Sequence, residues 1–189
     1  MLDCTAAAPL RGTGLRRPTW FTHTLVILVS LTGGALGIGG AFISEIQTGG
    51  FVLLIFLGAP VIEEAFKPIG LYLSLLWWPR ALTGRLHRAV LCGGAGVVFG
   101  LIESAVYVWI YAPDAPDWFP LFRFTVPVAL HAIASFTVGL GIDRRIVDWV
   151  NHGTRMPRRT VRFYIAGVVI HAVYNTTAVI LTFAGVLDF

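Results

Sequence analysis

Apolar residues run in five long stretches with short polar segments between them, at residues 20–43, 51–78, 89–111, 119–141 and 163–187. Each is long enough to cross a hydrocarbon core of ~30 Å, which needs about 20 helical residues. The pattern predicts an all-α fold: one polytopic membrane domain over residues 1–189, with about five transmembrane helices. The first stretch follows Arg16-Arg17-Pro18 and is rich in glycine (Gly33, Gly34, Gly37, Gly39, Gly40). It is longer than the roughly 7–15 apolar residues of a signal peptide and has no clear A-x-A site, so it is expected to stay as a span.

The loops give a direction. Arg11, Arg16 and Arg17 precede the first span; Arg80, Arg85 and Arg88 follow the second; Arg144, Arg145, Arg155, Arg158, Arg159 and Arg162 lie between the fourth and fifth. The two intervening loops hold only Glu45, and Asp114 with Asp117. This alternation predicts a cytoplasmic N-terminus and an outer C-terminus in a multi-pass protein of the cytoplasmic membrane. Composition agrees: 56% of the 189 residues are hydrophobic and 13% charged, against about 25% charged in soluble domains. The net charge of +4 does not imply a nucleic-acid partner, because all basic residues except Lys67 and Arg123 lie in the three basic loop segments. Cys4 and Cys92 are far apart and suggest neither a disulfide framework nor a thiolate metal site. High Ala, Gly and Arg content suits a prokaryote of high genomic GC.

The polar positions inside the spans change the picture. Glu63, Glu64 and Lys67 fall in the second span, Glu103 in the third, His131 in the fourth, and His171 with Asn175 in the fifth. Three Glu and one Lys at helix centres put about 10–14 kcal/mol against insertion, a cost carried only where the groups face one another and serve a function. Counted from the cytoplasmic ends at 1.5 Å per residue, all lie roughly 12–21 Å deep. Four helices therefore contribute to one layer. Lys67 is i+4 from Glu63 and i+3 from Glu64, so it reaches either carboxylate. Phe99, Glu103 and Tyr107 share a face, as do His131 and Ser135, and His171 and Asn175. Carboxylates crowded near one lysine titrate as a unit, which suits general-base chemistry. Pro60 and Pro127, just before two of the polar sites, suggest loosened helices lining a cavity. Gly33/Gly37 and Gly96/Gly100 are small-xxx-small pairs that read as close helix contacts. Arg123, near the outer end of its span, is expected to snorkel or to pair with an acid.

The set Glu63-Glu64-x-x-Lys67, Phe99-x-x-x-Glu103 with Tyr107, His131, and His171-x-x-x-Asn175 resembles the PrsW family. These are glutamic-type intramembrane proteases related to the CAAX prenyl endopeptidase and bacteriocin-processing superfamily. Glu-Glu-x-x-Lys, with Pro68 following, favours the PrsW branch over the prenyl endopeptidases, as does Glu103 where those have a histidine. The resemblance implies hydrolysis of a peptide bond in or near the bilayer. Glu63 would activate water, with Glu103 or His131 helping to hold it. His171 and Asn175 would stabilise the oxyanion, while Glu64 and Lys67 orient and tune Glu63. Lys67, Phe99 and Tyr107 are supporting residues, and no nucleophilic Ser or Cys is required.

No cofactor is expected from this mechanism. Zinc is the alternative, with Glu63, Glu64, Glu103, His131 and His171 as candidate ligands. The expected partners are a membrane-protein or peptide substrate and the lipid bilayer. Two rival classes remain open: a proton-coupled transporter, since Glu/His chains also build proton relays, and a non-catalytic membrane partner or immunity protein. The absence of an inverted repeat counts against the transporter.

Overall fold

The computed structural model describes residues 17–48 and 52–185, and the side chains of 17–42 and 58–185. Arg11, Arg16, Cys4 and the predicted span edges at 51 and 186–187 lie outside the described residues. The chain forms helices α1 (Trp20–Thr48), α2 (Val52–Phe66), α3 (Ile69–Trp77), α4 (Arg85–Val106), a π-helical turn (Tyr107–Tyr111), α5 (Trp118–Gly141), α6 (Arg145–His152) and α7 (Arg158–Phe183). No strand occurs among the described residues, as the apolar pattern predicts. Four segments are long and apolar enough to cross a membrane: Trp20–Phe42, Arg85–Tyr111, Trp118–Gly141 and Arg158–Phe183.

The expected second span is not one helix. It is interrupted at Lys67-Pro68, between α2 and α3. Pro68 has no N–H, and its ring opposes the carbonyl four residues back. The helix restarts beyond it, with Tyr72 N–H donating to the Pro68 carbonyl at 3.0 Å. Pro60 and Pro127, by contrast, sit inside continuous helices.

Helix α4 packs on α5 and on α1; α5 packs on α7, α7 on α2, and α2 on α1. The contacts close a circuit, α1–α4–α5–α7–α2, around the interior. The glycine pairs set the approach. A Cβ on Gly33 would collide with the Lys67 carbonyl, and one on Gly96 with the His131 carbonyl. Small residues thus bring α1 against the α2–α3 break and α4 against α5. Large side chains such as Leu36, Ile133, Val173 and Ile180 remain exposed, as lipid-facing positions require.

A second centre of packing joins α1, α3, α5 and α6 through Val26, Leu71, Leu75, Val138, Ile142 and Ile146. Here the carbonyls at the end of α5 find partners, since the last turn of a helix leaves its own unsatisfied. Arg85 Nε donates to Leu140 O, Arg88 Nε to Ile142 O and Thr160 Oγ1 to Gly141 O. Several residues of the basic segments therefore cap helix ends. Helix α6, within a segment that sequence reads only as a basic loop, sets Ile146, Val147, Trp149 and Val150 among polar residues and ends at Gly153 in the left-handed region (φ 61°).

Candidate active site

Five ionisable side chains converge inside the circuit. Glu63 and Glu64 come from α2, Lys67 from the α2–α3 break, His131 from α5 and His171 from α7. Glu64 and Lys67 are fully buried, and Glu63, His131 and His171 nearly so. Glu103 on α4 joins them from the edge, with 24% of its side chain exposed.

Glu64 is saturated. Its Oε1 accepts from Lys67 Nζ at 2.6 Å and from His171 Nδ1 at 3.1 Å, and its Oε2 accepts from Ser135 Oγ at 3.0 Å. Its neighbour Glu63 is in the opposite condition. Glu63 Oε2 is buried with no hydrogen-bond partner, while Lys67 Nζ lies 3.2 Å away and His171 Nε2 3.8 Å away.

Both nitrogens of His131 are engaged: Nδ1 with Lys67 Nζ at 2.9 Å and Nε2 with Glu103 Oε2 at 3.0 Å. An ammonium only donates and an ionised carboxylate only accepts. His131 is therefore assigned as the neutral tautomer, with its proton on Nε2 and its Nδ1 lone pair turned to Lys67. By the same logic His171 carries a proton on Nδ1, directed to Glu64, and its Nε2 is turned toward Glu63 Oε2 at 3.8 Å. The two rings meet edge to face, with centroids 4.8 Å apart.

The outer edge is held by Arg123 of α5, which donates from Nη2 to the same Glu103 Oε2 at 3.0 Å. Its guanidinium lies 3.9 Å from the centre of the Tyr107 ring. Tyr107 opens the π-helical turn, which closes by Ala112 N–H donating to the Tyr107 carbonyl at 2.9 Å; such turns are frequent at functional sites. Phe99 completes the interior. Lys67 Nζ sits 4.0 Å from its ring centre, and its ring meets His131 edge to face at 4.8 Å.

The residues picked from sequence are thus brought together, with one exception. Asn175 is half-buried on α7, one turn beyond His171, and makes no side-chain bond to the cluster. The groups are close-packed on one another instead of lining the open cavity that Pro60 and Pro127 suggested. Opposite charges in a dry interior contract into direct pairs, since each gains most from the nearest counter-charge. An apolar cavity of about 290 Å³ lies beside the cluster, between α2, α3, α6 and α7, and includes Ala65, Tyr72 and Tyr164 in its wall.

Ser135 carries no role in the sequence reading, and Arg123, expected to snorkel or to pair with an acid, pairs with Glu103. Their signal is a four-residue stripe along α5: Arg123, Pro127, His131, Ser135. Positions i, i+4, i+8 and i+12 share one helix face.

The donor set fits a divalent metal. One ligand atom from each of Glu63, His131 and His171 lies within 4.8 Å of the other two, where donors on a tetrahedral zinc sit about 3.4 Å apart. Two imidazoles and a carboxylate form a catalytic zinc ligand type. Each imidazole has its far nitrogen held by a carboxylate, the outer arrangement that metal-binding histidines use. Glu63 Oε2 points the same way: it is buried, accepts no hydrogen bond and faces only the Lys67 ammonium and His171 Nε2, a position that suits a cation.

The chain matches none of the curated proteins and none of the solved structures with which it was compared. One family's sequence pattern, described as "PrsW family intramembrane metalloprotease", matches residues 18–188. That match takes in all of the membrane helices and every residue of the cluster, and the chain belongs to the PrsW family of intramembrane proteases.

Proposed function

We propose that this chain is an endopeptidase that cuts a membrane-associated protein or peptide in or near the bilayer, with water as nucleophile, at a centre formed by Glu63, His131 and His171. The observation that carries this reading is the convergence of Glu63, His131 and His171, each with a ligand atom within 4.8 Å of the other two, around a buried carboxylate oxygen that accepts no hydrogen bond. Among the described residues no serine or cysteine has a comparable position. Ser135 donates to Glu64 and Ser104 to the Arg123 carbonyl.

Glu63, His131 and His171 would hold a divalent metal such as zinc, which would supply Lewis acidity and ease the deprotonation of water at neutral pH. Glu64 and Glu103, on the far nitrogens of His171 and His131, would orient the two rings and leave His171 Nε2 and His131 Nδ1 as the ligand atoms. Glu103 is the carboxylate suited to proton transfer. Both of its bonds fall on Oε2, and it lies at the more exposed edge, where its other oxygen can take a proton from water and return it to the leaving amine. In this reading His171 is a ligand, because its Nδ1 proton is spent on Glu64. The oxyanion donor is then the carboxamide of Asn175, one turn outward. Packing around the cluster excludes bulk water and strengthens every interaction inside it.

A metal-free version, in which Glu63 alone is the general base, is the second reading. It is favoured by the Lys67 ammonium, which lies 3.2 Å from Glu63 Oε2 and 2.9 Å from His131 Nδ1. Cleavage of single-span reporter proteins in proteoliposomes separates the two. The metal reading expects loss of activity with phenanthroline and return on adding zinc. Full activity after exhaustive chelation would leave Glu63 as a base without metal. Cleavage that survives Glu63→Gln would sink both.

A further inference from the structure

Lys67 is the chain's single lysine, against thirteen arginines, and it is completely buried. Its surroundings are those of a small cation. Glu64 Oε1 lies at 2.6 Å, His131 Nδ1 at 2.9 Å, Glu63 Oε2 at 3.2 Å, and the Phe99 ring centre at 4.0 Å. A compact ammonium suits such a cage, where a planar guanidinium would not. Two of these atoms, Glu63 Oε2 and His131 Nδ1, are donors of the metal set described above.

The bonding of His131 sharpens the conflict. A ligated His131 must release one of its two present partners. Glu103 on Nε2 is compatible with ligation through Nδ1, being the outer carboxylate that metal-binding histidines favour. Lys67 on Nδ1 is not compatible, because it uses the same lone pair.

We propose that the Lys67 ammonium holds the metal's place, so that Lys67 and a divalent cation compete for Glu63 Oε2 and His131 Nδ1. This inference rests on the metal reading of the site. The exchange has a structural route. Lys67 sits at the α2–α3 break, outside continuous helix, and its stem passes glycine on α1, where a Cβ on Gly37 would stand 3.3 Å from Lys67 Cγ. The ammonium keeps Glu64 as its partner while it gives up Glu63 and His131. The protein then alternates between a lysine-held form without metal and a loaded form.

The test measures zinc binding instead of turnover, by chelator competition on the full chain in detergent, for the wild type, Lys67→Met and Lys67→Gln. Only binding that is lost in His171→Ala is counted. Removing the competing state removes its penalty on affinity, so both variants should bind zinc about tenfold more tightly or better. Because the chain has one lysine, ¹⁵N-lysine labelling of the wild type gives a single side-chain signal. That signal should shift as zinc saturates the site, which keeps the test decisive even where a variant fails to fold. Unchanged or weaker affinity in folded variants would overturn the competition, as would a lysine signal that stays fixed while the wild type saturates; either leaves the metal reading standing. No His171-dependent zinc binding in any of the proteins would overturn the metal reading and this proposal with it.

Discussion

Glu63 and Glu64 are adjacent in sequence and opposite in circumstance. Glu64 accepts from Lys67, His171 and Ser135, whereas Glu63 Oε2 has no hydrogen-bond donor. The two carboxylates should therefore fail differently. Glu63→Gln removes the carboxylate at the proposed centre and should abolish cleavage of a membrane reporter. Glu64→Gln disturbs only the orientation of His171 and Lys67 and should cost about 10–100-fold, as outer-shell changes do. Equal losses in purified, folded variants would contradict the division of roles. Arg123 and Glu103 form a second such pair. If Arg123 acts through Glu103, Arg123→Met and Glu103→Gln should each lower kcat, and the double variant should lose little more than Glu103→Gln alone. Most of this constellation was legible in the sequence, because ionisable groups are conspicuous among apolar residues. Ser135 was not assigned, and Arg123 was expected to snorkel or to meet an acid without the acid being named. Spacing along one helix says which face a residue shares, but not which neighbouring helix that face meets.

At the scale of elements, glycine and proline decide the geometry. A Cβ on Gly37 would stand 3.1 Å from Phe99 Cδ2 and 3.3 Å from Lys67 Cγ, while one on Gly39 meets nothing within 4 Å. Gly37→Leu should overpack the site and cost about 1–3 kcal/mol of stability, together with activity. Gly39→Leu, two residues away on the exposed face, should do neither. Thermal unfolding in detergent compares the two, and equal melting temperatures would contradict the proposed seat of Lys67. Arg88 offers a separate check away from the site. It bonds the carbonyls of Ile142 and Leu82, so Arg88→Ala should cost about 1.5–3 kcal/mol for each charged bond lost, without a specific effect on zinc. The α2–α3 break was not read from the hydrophobic pattern, which runs on across Pro68. Three prolines fall near polar sites, and only packing determines which interrupts the helix. Helix α6 was missed for the converse reason: eight residues in an arginine-rich segment give too short a pattern to stand out from a loop.

For the whole molecule, the sequence made the membrane class and the convergence of four helical segments on one layer plain, because span length and depth follow from counting. The closed circuit α1–α4–α5–α7–α2 was not readable, since neighbour relations depend on which glycine faces meet. The direction across the membrane remains a proposal from the arginine loops, with the N-terminus in the cytoplasm. Single cysteines placed at Thr83 and at Asp114, in a background without Cys4 and Cys92, should be labelled by an impermeant reagent from opposite sides. Thr83 should react only when the cytoplasmic face is open, and the reverse pattern would invert the topology. The account's central claim is that water, activated at Glu63, His131 and His171, cleaves a peptide bond inside a membrane protein. The most direct measurement is mass spectrometry of products released from single-span reporters in proteoliposomes prepared in ¹⁸O-water. The account predicts a new C-terminal carboxyl, at or near the apolar segment, carrying one solvent oxygen, and no such product from Glu63→Gln. A product that forms equally with Glu63→Gln, or one without solvent oxygen, would contradict it.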